Sequence, residues 1–427
     1  MQVEVGLLGC GTVGSGVVEL MHKRADKIAE MTGVRATIKK ILVLDLNKPR
    51  EVLLNGELLT TRPEDILQDP GISVIIETIG GIEPARTLLL QAVRAGKHVI
   101  TANKDLIALY GAEILEEARK ASVDVYYEAA VGGAIPLIRP LKESLTANEI
   151  TEIKGIINGT TNYILSKMTR SGANYEDVLA EAQALGYAEA DPSSDVDGLD
   201  AARKLTILST IAFHTKVSLD DVRVYGIRSV AATDVRYASE LGYVIKLLAQ
   251  GTDHTDCLTL SVRPTLIPKD HPLAYVSDAY NALYVHGDAS GDLMFFGRGA
   301  GSLPTASAVL GDAIDVFRNM NHRVSGLQDQ TYLENKPVCP TQASAQPFYL
   351  RLTVLDQSGV FAQIAGIFGE SDINMETVMQ KRGLDRTAEI VIVTHAVQPH
   401  IIDHVVAILE NHTSVTAVHL VMPVETA

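Results

Sequence analysis

The chain opens with Val3-Glu4-Val5-Gly6-Leu7-Leu8-Gly9-Cys10-Gly11-Thr12-Val13-Gly14, an apolar run followed by three glycines with the spacing GxGxxG. Where this motif joins a strand to a helix, the first glycine makes a tight turn, the second lets the backbone approach a pyrophosphate, and the third allows close helix packing. The anion then faces the helix N-terminus. We therefore predict a dinucleotide site that includes Gly9, Gly11, Thr12, Val13 and Gly14. The alternative is a purely structural turn.

Asp45 is the candidate for binding the ribose hydroxyls, because it follows the second predicted strand with a carboxylate. It lies further along the chain than is usual for this role, since the first helix is long. The alternative is a solvated turn residue before Asn47 and Pro49. The sequence leaves both interpretations open.

The segments after the motif predict the fold. Over residues 1–130, short β-branched runs alternate with helical patterns, which is typical of a doubly wound parallel sheet covered by helices. The predicted strands are Val3–Leu8, Ile38–Leu44, Val74–Glu77, His98–Thr101 and Val123–Tyr127. Residues 131–325 predict an α+β domain for substrate binding and catalysis. Its elements are helices at Leu199–Phe213 and Val235–Leu248 and extended segments at Glu152–Asn158, Leu258–Pro264 and Leu283–His286.

The end of the chain predicts a small separate domain. Residues 326–347 contain three prolines and almost no periodicity, so we interpret them as a linker. Residues 348–427 have a βαββαβ order, which predicts a ferredoxin-like antiparallel sheet with helices on one face. The elements are Tyr349–Leu355, Phe361–Glu370, Met375–Gln380, Glu389–Thr394, His400–Glu410 and Val415–Val421.

Composition excludes several classes of partner. The net charge of −15, from 37 basic and 52 acidic residues, repels nucleic acid and anionic lipid. Cys10, Cys257 and Cys339 are widely separated and form no CxxC pair, which suits a reducing compartment. The chain begins directly with a strand, and no stretch reaches about 18 uninterrupted apolar residues. We expect a cytoplasmic protein that is neither exported nor bound to a membrane or nucleic acid.

The predicted helix Leu199–Phe213 carries the main catalytic candidates. At about 100° per residue, Asp200 and Lys204 fall within its apolar arc, whereas Arg203, Thr206, Ser209 and Thr210 take the other side. Spacing alone also allows an ordinary ion pair on a wet face. Because buried charges are costly unless they are paired, the position in the arc favours a site. Lys204 can then act as an acid toward a substrate oxygen, and Asp200 can anchor a cationic group.

Two loops provide further candidates. Glu189 lies in the Gly- and Pro-bounded segment from Gly186 to Pro192, where it can face an ammonium group. Asp195 and Asp197, further along this carboxylate-rich loop, are better explained as helix caps and helix-dipole partners. Lys104 follows the strand that ends at Thr101, at the carboxyl edge where doubly wound sheets bind ligands. The alternative for Lys104 is a solvated lysine before a helix.

Over essentially the whole chain, the motifs resemble the homoserine dehydrogenase family. They are Gly9–Gly14, Thr101–Lys104, Tyr127–Pro136, Asn158–Leu165 and, above all, Gly198-Leu199-Asp200-Ala201-Ala202-Arg203-Lys204. The resemblance implies reduction of aspartate 4-semialdehyde to homoserine with NADH or NADPH, in threonine and methionine biosynthesis. It implies that Lys204 is the proton donor, that Asp200 and Glu189 hold the amino-acid part of the substrate, and that Lys104 lies between nicotinamide and substrate. Because the chain begins with the dinucleotide strand, we expect no fused aspartokinase.

The resemblance implies further ligands. The segment Gly297-Arg298-Gly299-Ala300-Gly301 is similar to the family's cofactor-proximal loop, and Thr78, Gly186 and Gly301 join the cofactor-binding candidates. A monovalent cation, sodium, is expected at one side chain and backbone carbonyls of Glu128, Val131, Gly133 and Ile135. Members that use NADP often have a basic residue where this chain has Leu44, but Lys48 and Arg50 are close enough in sequence to reach a 2′-phosphate. The choice between NAD and NADP stays open.

Residues 348–427 resemble an ACT domain, a module that binds amino acids at paired interfaces. Asp356-Gln357-Ser358-Gly359-Val360-Phe361 stands in place of the module's usual Asp-x-Pro-Gly turn, and Asp372-Ile373-Asn374-Met375 matches its second loop. The resemblance implies an amino-acid effector, threonine above others. The exposed edge of such a sheet favours pairing, so we expect a homo-oligomer that is at least a dimer. A module used only for assembly is the alternative.

Two other functions are alternatives to this one. Another ACT-bearing dehydrogenase, acting on 3-phosphoglycerate, predicts a catalytic His and a basic phosphate cluster in the substrate domain, and the helix with Asp200 and Lys204 disfavours it. A non-catalytic sensor of dinucleotide and amino acid is disfavoured by the full set of catalytic candidates.

Overall fold

The computed structural model describes residues 1–50, 52, 54–325, 331–332, 335–339, 344–383 and 385–426. Two compact units are formed. The first consists of Met1–Ile153, Arg203–Asp220 and Asn281–Lys336, and the second of Lys154–Ala202, Asp221–Tyr280 and Pro337–Ala427. No helix among the described residues is both long and apolar enough to cross a lipid bilayer.

The first unit contains a parallel sheet. Its strands are β1 (Gln2–Leu8), β2 (Arg35–Leu42), β3 (Leu59–Thr60), β4 (Ile72–Glu77), β5 (His98–Thr101) and β6 (Val125–Tyr126), and their order is β3-β2-β1-β4-β5-β6. Helices α1 (Thr12–Lys23), α2 (Ala25–Thr32), α3 (Glu64–Leu67), α4 (Ala85–Arg94) and α5 (Lys104–Ala121) connect the strands. Strands β1 and β4 are almost fully buried, as helices on both faces require. The predicted doubly wound sheet is confirmed, and the strand order reverses between β1 and β4, where such sheets bind ligands.

A mixed sheet follows. It has the order β12-β11-β7-β9-β10-β8, with β7 (Ile150–Ile156), β8 (Arg223–Val224), β9 (Tyr243–Asp253), β10 (Leu258–Pro268), β11 (Tyr280–Gly287) and β12 (Gly291–Arg298). The helices between β7 and β9 are α6 (Gly159–Ser171), α7 (Tyr175–Ala184), α8 (Ser193–Val196), α9 (Leu199–Ala212) and α10 (Ala232–Glu240). After β12, α11 (Ser302–His322) packs in the core of the first unit. The α+β expectation is therefore confirmed.

The predicted helix Val235–Leu248 is wrong in its second half. Helix α10 ends at Glu240, and strand β9 starts at Tyr243. Between them, Gly242 has a φ of +88°, which ends the helix at little cost only for glycine. The residues that follow include Tyr243, Val244 and Ile245, which favour a strand, so that β9 and β10 form an antiparallel pair.

Part of the predicted linker is paired. Within residues 326–347, positions 326–330, 333–334 and 340–343 lie outside the described residues. Further along, the backbone N–H of Leu258 donates to Pro337 (2.9 Å), and that of Cys339 donates to Leu258 (2.8 Å). Residues 337–339 thus lie beside the start of β10, a partner too distant in the chain for periodicity to reveal.

The C-terminal part of the second unit has the predicted βαββαβ order. It comprises β13 (Phe348–Leu355), α12 (Val360–Glu370), β14 (Met375–Arg382), β15 (Thr387–Thr394), α13 (Pro399–Glu410) and β16 (Val415–Pro423), with sheet order β14-β15-β13-β16. One sheet face packs against both helices in an apolar core. The ferredoxin-like prediction is confirmed.

Polar contacts join this sheet to α10. Arg351 on β13 donates from Nε and Nη2 to the two carboxylate oxygens of Asp234 on α10, at 2.6 and 3.0 Å. The Tyr349 hydroxyl donates to Asp234 (3.1 Å), and the Tyr237 hydroxyl on α10 donates to Glu389 on β15 (2.6 Å). Asp234 is completely buried, so this ion pair is shielded from water.

Candidate active site

Three glycines shape the turn between β1 and α1. Gly9 has a φ of +95°, and a Cβ there would lie 2.9 Å from the backbone carbonyl of Thr78. A Cβ at Gly14 would lie 2.5 Å from the carbonyl oxygen of Gly9. Gly11, the N-cap of α1, has no atom of the described residues within 4 Å of its Cβ position. The turn therefore has the shape that a pyrophosphate requires at a helix N-terminus.

A cavity of about 650 Å³ lies beside this turn, a volume suited to a nucleotide. The Thr78 hydroxyl donates to the carbonyl oxygen of Gly9 (3.0 Å) and so braces the turn. Further residues of the cavity wall are Gly11, Thr12, Asp45, Lys48 and Arg50. The residues present fit a dinucleotide.

Asp45 lies in a turn, which is one of the two interpretations that the sequence allows for this residue. Its Oδ1 accepts the backbone N–H of Asn47 (2.8 Å). The Arg50 guanidinium donates to the carbonyl oxygens of Asp45 (2.5 Å) and Lys48 (2.8 Å). A carboxylate able to bind ribose hydroxyls and a cation able to bind a 2′-phosphate thus lie on one loop, and this geometry favours neither cofactor.

Two other cofactor candidates lie around the first turn of α1. Val13 is half-buried and packs on the core of the first unit. Gly301, with a φ of +128°, is the N-cap of α11. The next residue, Ser302, donates its hydroxyl to the carbonyl oxygen of Thr12 (2.7 Å). The glycine-rich segment before α11 therefore adjoins the dinucleotide turn.

Lys104 and Lys204 lie on segments that an ion pair joins. Lys104 is the first residue of α5, and its neighbour Asp105 pairs with Arg203 on α9 at 3.1 Å. Arg203 precedes Lys204 directly, so the ion pair holds the first turn of α5 beside residues 203–204. Both lysines are half-buried. The helical arc predicted from the sequence sets Arg203 apart from Asp200 and Lys204, and it gives no sign of the pairing with α5.

Helix α9 is more enclosed than the arc argument implied. Thr206, Ser209 and Thr210, assigned to the side opposite the apolar arc, are buried as well. The Thr210 hydroxyl accepts the backbone N–H of Val217 (3.3 Å). Because the helix lies inside the protein, its small hydroxyl side chains are covered along with its aliphatic ones.

Asp200 is buried at the start of α9 and is held by Asn158. Asn158 donates from Nδ2 to Asp200 (2.9 Å) and to Asp195 (2.7 Å). Its Oδ1 accepts the backbone N–H of Thr161 (2.8 Å) and so caps α6. Asp200 therefore has a defined orientation, one helical turn before Lys204.

The loop that carries Gly186 and Glu189 is attached to the same end of α6. The Thr160 hydroxyl donates to the carbonyl oxygen of Tyr187 (2.7 Å). Gly186 has a φ of +77°, and the side chain of Glu189 is exposed. The first turn of α6 thus positions both Asp200 and the Glu189 loop.

Glu128 has a structural task at the expected cation site. Its carboxylate is buried and accepts three backbone N–H groups, those of Leu137 (2.6 Å), Ile138 (2.8 Å) and Arg139 (2.7 Å). Among the described residues, no group of three or more His, Cys, Asp or Glu side chains is arranged to hold a metal ion. A cation at Val131, Gly133 and Ile135 is thus limited largely to carbonyl oxygens, in a loop that Glu128 braces.

Sequence reasoning assigned no role to Asn158, Arg203 or Glu77. Asn158 follows a strand and precedes Gly159-Thr160-Thr161, so a helix cap could have been predicted there. The pairing of Arg203 with Asp105 joins distant segments and left no local signal. Glu77 is the last residue of the predicted strand Val74–Glu77, and its side chain is completely buried.

Three segments of the chain match three families of known proteins. Residues 9–128 match the family described as homoserine dehydrogenase, NAD binding domain; residues 136–314 match homoserine dehydrogenase; and residues 348–412 match the ACT domain. The homoserine dehydrogenase of Bacillus subtilis (strain 168) is 47% identical over 397 residues, which cover 92% of this chain and 91% of that protein. A homoserine dehydrogenase structure from Thiobacillus denitrificans is 43% identical with a TM-score of 0.94, covering 100% of this chain and 98% of the other. A hyperthermophilic archaeal homoserine dehydrogenase in complex with NADPH is 26% identical with a TM-score of 0.63, covering 74% of this chain and 98% of the other.

Proposed function

Since the chain belongs to the homoserine dehydrogenase family and is an NAD(P)-dependent oxidoreductase, we propose that it reduces L-aspartate 4-semialdehyde to L-homoserine in threonine and methionine biosynthesis. The observation that carries this substrate is the fixed orientation of Asp200, one turn before Lys204 on α9. A carboxylate and an ammonium group at that spacing match the two ends of an amino-acid aldehyde.

Each side chain has a distinct task in the proposed reaction. The nicotinamide, when bound, supplies the hydride for the carbonyl carbon. Lys204 donates a proton to the aldehyde oxygen as charge develops there. Asp200 and Glu189 hold the substrate's ammonium group, and Asn158 keeps the Asp200 carboxylate in place. Lys104, at the carboxyl edge of the parallel sheet, lies between cofactor and substrate.

The cofactor site is proposed to accept both nicotinamides. Gly9, Gly11, Thr12, Val13, Gly14 and Thr78 hold the pyrophosphate region, Asp45 the ribose, and Gly186 and Gly301 the cofactor-proximal loops. The NADPH complex of the archaeal relative supports the use of NADPH. Arg50 supplies a cation for a 2′-phosphate on the loop that begins with Asp45. We further propose a sodium ion at Glu128, Val131, Gly133 and Ile135.

The C-terminal module is proposed to be regulatory. Gly359, with a φ of +89°, is the N-cap of α12, so the turn needs glycine at this position and tolerates Ser358 before it. Threonine is the proposed effector, bound between paired modules of at least a dimer. We place the domain boundaries at 1–130, 131–325, 326–347 and 348–427.

A spectrophotometric assay tests the reaction. We expect the chain to oxidise NADH or NADPH with aspartate semialdehyde, and Lys204→Met to lower kcat by about 10²–10⁴ with cofactor affinity nearly unchanged. Lys120→Met is a matched control, because Lys120 pairs with Glu116 and Glu117 near the far end of α5. Near-normal turnover in folded Lys204→Met would contradict the proposed role.

Threonine titration of the full-length chain tests the regulation. Coupling of about 1–3 kcal/mol changes substrate affinity some 5- to 150-fold. The chain should be titrated intact, since removing residues 348–427 would leave the buried Asp234 without Arg351. If threonine neither binds nor alters the kinetics, the module serves assembly alone.

A further inference from the structure

Glu77 is a completely buried carboxylate at the carboxyl edge of the parallel sheet. It is the last residue of β4 and is paired in register with Leu8 on one side and Thr101 on the other. The dinucleotide turn begins directly after Leu8, and the segment leading to Lys104 begins directly after Thr101. Glu77 therefore lies between the two halves of the proposed site.

The carboxylate ties together the loops that follow β4 and β5. Its Oε1 accepts the backbone N–H groups of Ile79 (2.7 Å) and Gly80 (3.0 Å). Its Oε2 accepts the hydroxyl of Thr101. That hydroxyl oxygen in turn accepts the backbone N–H of Asn103 (3.0 Å). A single side chain thus fixes two loops that are neighbours in space but distant in sequence.

Asn103 extends the network to the start of α5. Its Nδ2 donates to the carbonyl oxygen of Gly81 (2.6 Å), and its Oδ1 accepts the backbone N–H of Leu106 (3.1 Å), which caps the helix. The residue after this cap is Lys104. Gly80 and Gly81 have φ values of +78° and +70°, and no atom of the described residues lies within 4 Å of a Cβ at either one. The loop held by Glu77 therefore presents an open backbone surface beside the cofactor cavity, whose wall includes Ile79.

Stability alone does not account for a carboxylate here. Burial raises the pKa of Glu77, and the hydrogen bonds from Thr101, Gly80 and Ile79 act against that rise. These donors are neutral groups, so no opposite charge among them offsets the cost of burying the carboxylate. What an apolar side chain lacks is the ability to hold three donors from two loops in one geometry.

We propose that Glu77 is a positioning residue that presets the Ile79–Gly81 loop and Lys104 for the nicotinamide half of the cofactor. The proposal rests on the proposed function only for the role of Lys104. Asp45, proposed for the ribose of the adenosine half, makes its described hydrogen bonds within its own loop and none to this network, so we expect that half of the cofactor to depend on Glu77 less. Loss of Glu77 thus affects binding of the nicotinamide and its alignment with the substrate, because small displacements of reacting groups are costly in rate.

The test compares two ligands that differ only in the nicotinamide. The two ligands are the reduced cofactor and the matching ADP-ribose, and both carry a 2′-phosphate if the wild type uses NADPH. Each ligand is titrated against full-length Glu77→Met by calorimetry. We expect about tenfold weaker binding of the reduced cofactor, with ADP-ribose affinity changed less than about twofold. We expect kcat/KM to fall by about 10²-fold. Glu77→Gln keeps an acceptor for the backbone N–H groups of Ile79 and Gly80, so it should retain most of the cofactor affinity and kcat/KM that Glu77→Met loses.

Lys97→Met is the matched control at the opposite edge of the same strands. Lys97 is buried just before β5, and its Nζ donates to the carbonyl oxygens of Asp69 (2.7 Å) and Ile72 (2.5 Å) before and at the start of β4. This variant should leave the ratio of the two affinities unchanged. Three results would overturn the proposal. Glu77→Met could weaken the binding of both ligands equally, it could weaken the binding of neither, or Lys97→Met could show the same selective loss.

A second variant keeps the test decisive if Glu77→Met does not fold. Thr101→Val retains the β-branched shape but removes the hydroxyl between Glu77 and Asn103, and it should give a smaller selective loss in the same direction. Unchanged selectivity in folded Thr101→Val would overturn the proposal. Because the binding comparison needs no turnover, a wild type that fails to reduce aspartate semialdehyde would refute the proposed reaction while the role of Glu77 is still measured.

Discussion

Replacing Arg351 by Met should destabilise the second unit strongly. The guanidinium contacts both carboxylate oxygens of Asp234, and the two side chains are 8% and 0% exposed. Without Arg351, the Asp234 carboxylate keeps only the Tyr349 hydroxyl and the backbone N–H of Ala231 among the partners described here. Removing one partner of a buried ion pair costs about 3–5 kcal/mol, because the remaining charge stays buried and uncompensated.

Lys381→Met is the control, because it removes an ion pair that joins the same helix to the same sheet. Lys381 pairs with Glu240 at 2.7 Å, but the two side chains are 39% and 40% exposed. An exposed pair contributes only about 0.2–1 kcal/mol. The contrast between the two variants therefore isolates burial, with charge type and location kept similar.

Urea unfolding followed by circular dichroism measures both variants. The double variant Asp234→Asn with Arg351→Met should recover a large part of the loss, because no unpaired charge is then left in the interior. The reasoning is refuted if Arg351→Met unfolds at the same urea concentration as Lys381→Met, or if adding Asp234→Asn increases the loss.

Three further predictions concern other parts of the chain. Burial lowers the pKa of Lys246 to about 8, whereas an unfolded lysine titrates near 10.4. Between these two pH values the unfolded chain binds more protons than the folded chain, so the stability of the wild type relative to Lys246→Met should rise with pH, by up to about 3 kcal/mol. Urea midpoints of both proteins at pH 7.5 and 10 measure this change, and a relative stability that fell with pH would contradict the prediction. Arg50→Ala should lower kcat/KM for NADPH about tenfold more than kcat/KM for NADH, because both cofactors lose the bond that holds the Asp45 loop but only NADPH loses a cation for its 2′-phosphate. Equal losses with the two cofactors in steady-state assays would show that Arg50 does not discriminate between them. Asn158→Ala should raise KM for aspartate semialdehyde, because Asp200 loses the amide that orients it; unchanged KM in a folded variant would contradict that role.

Features carried by local pattern could be predicted from the sequence. The turn at Gly9–Gly14 and the βαββαβ order of the last domain depend on glycines and on period-2 or period-3.6 spacing within a few residues. Strand β5 was placed at the bounds that the structure has, His98–Thr101. The helix predicted over Val235–Leu248 is wrong in its second half because Gly242, with a φ of +88°, lies between the end of α10 and the start of β9.

Contacts between distant segments could not be predicted in this way. The thiols of Cys257 and Cys339, separate in sequence, are in hydrogen-bond contact, and burial together with this contact raises the pKa of Cys257 to about 11. Lys246 lies in a strand whose apolar neighbours give no sign that its ammonium group donates to Asn162 (3.1 Å) on α6. Such placements are decided by tertiary packing, which overrides the local pattern.

The two buried carboxylates, Glu77 and Asp234, show that the partners of a buried charge determine what its loss changes. Asp234 is matched by a cation across two packed elements, so the network around it mainly stabilises the fold. Glu77 is surrounded by neutral donors from two loops at a ligand-binding edge, so its loss first alters loop geometry. Arg351→Met should accordingly lower the unfolding midpoint and leave cofactor selectivity intact, whereas Glu77→Met should change selectivity by more than its effect on stability explains. Measuring both quantities on both variants separates the two cases. If cofactor selectivity changed in proportion to stability in the same way for both variants, the effect of losing a buried charge partner would depend on burial alone. The identity of the partners would then not matter.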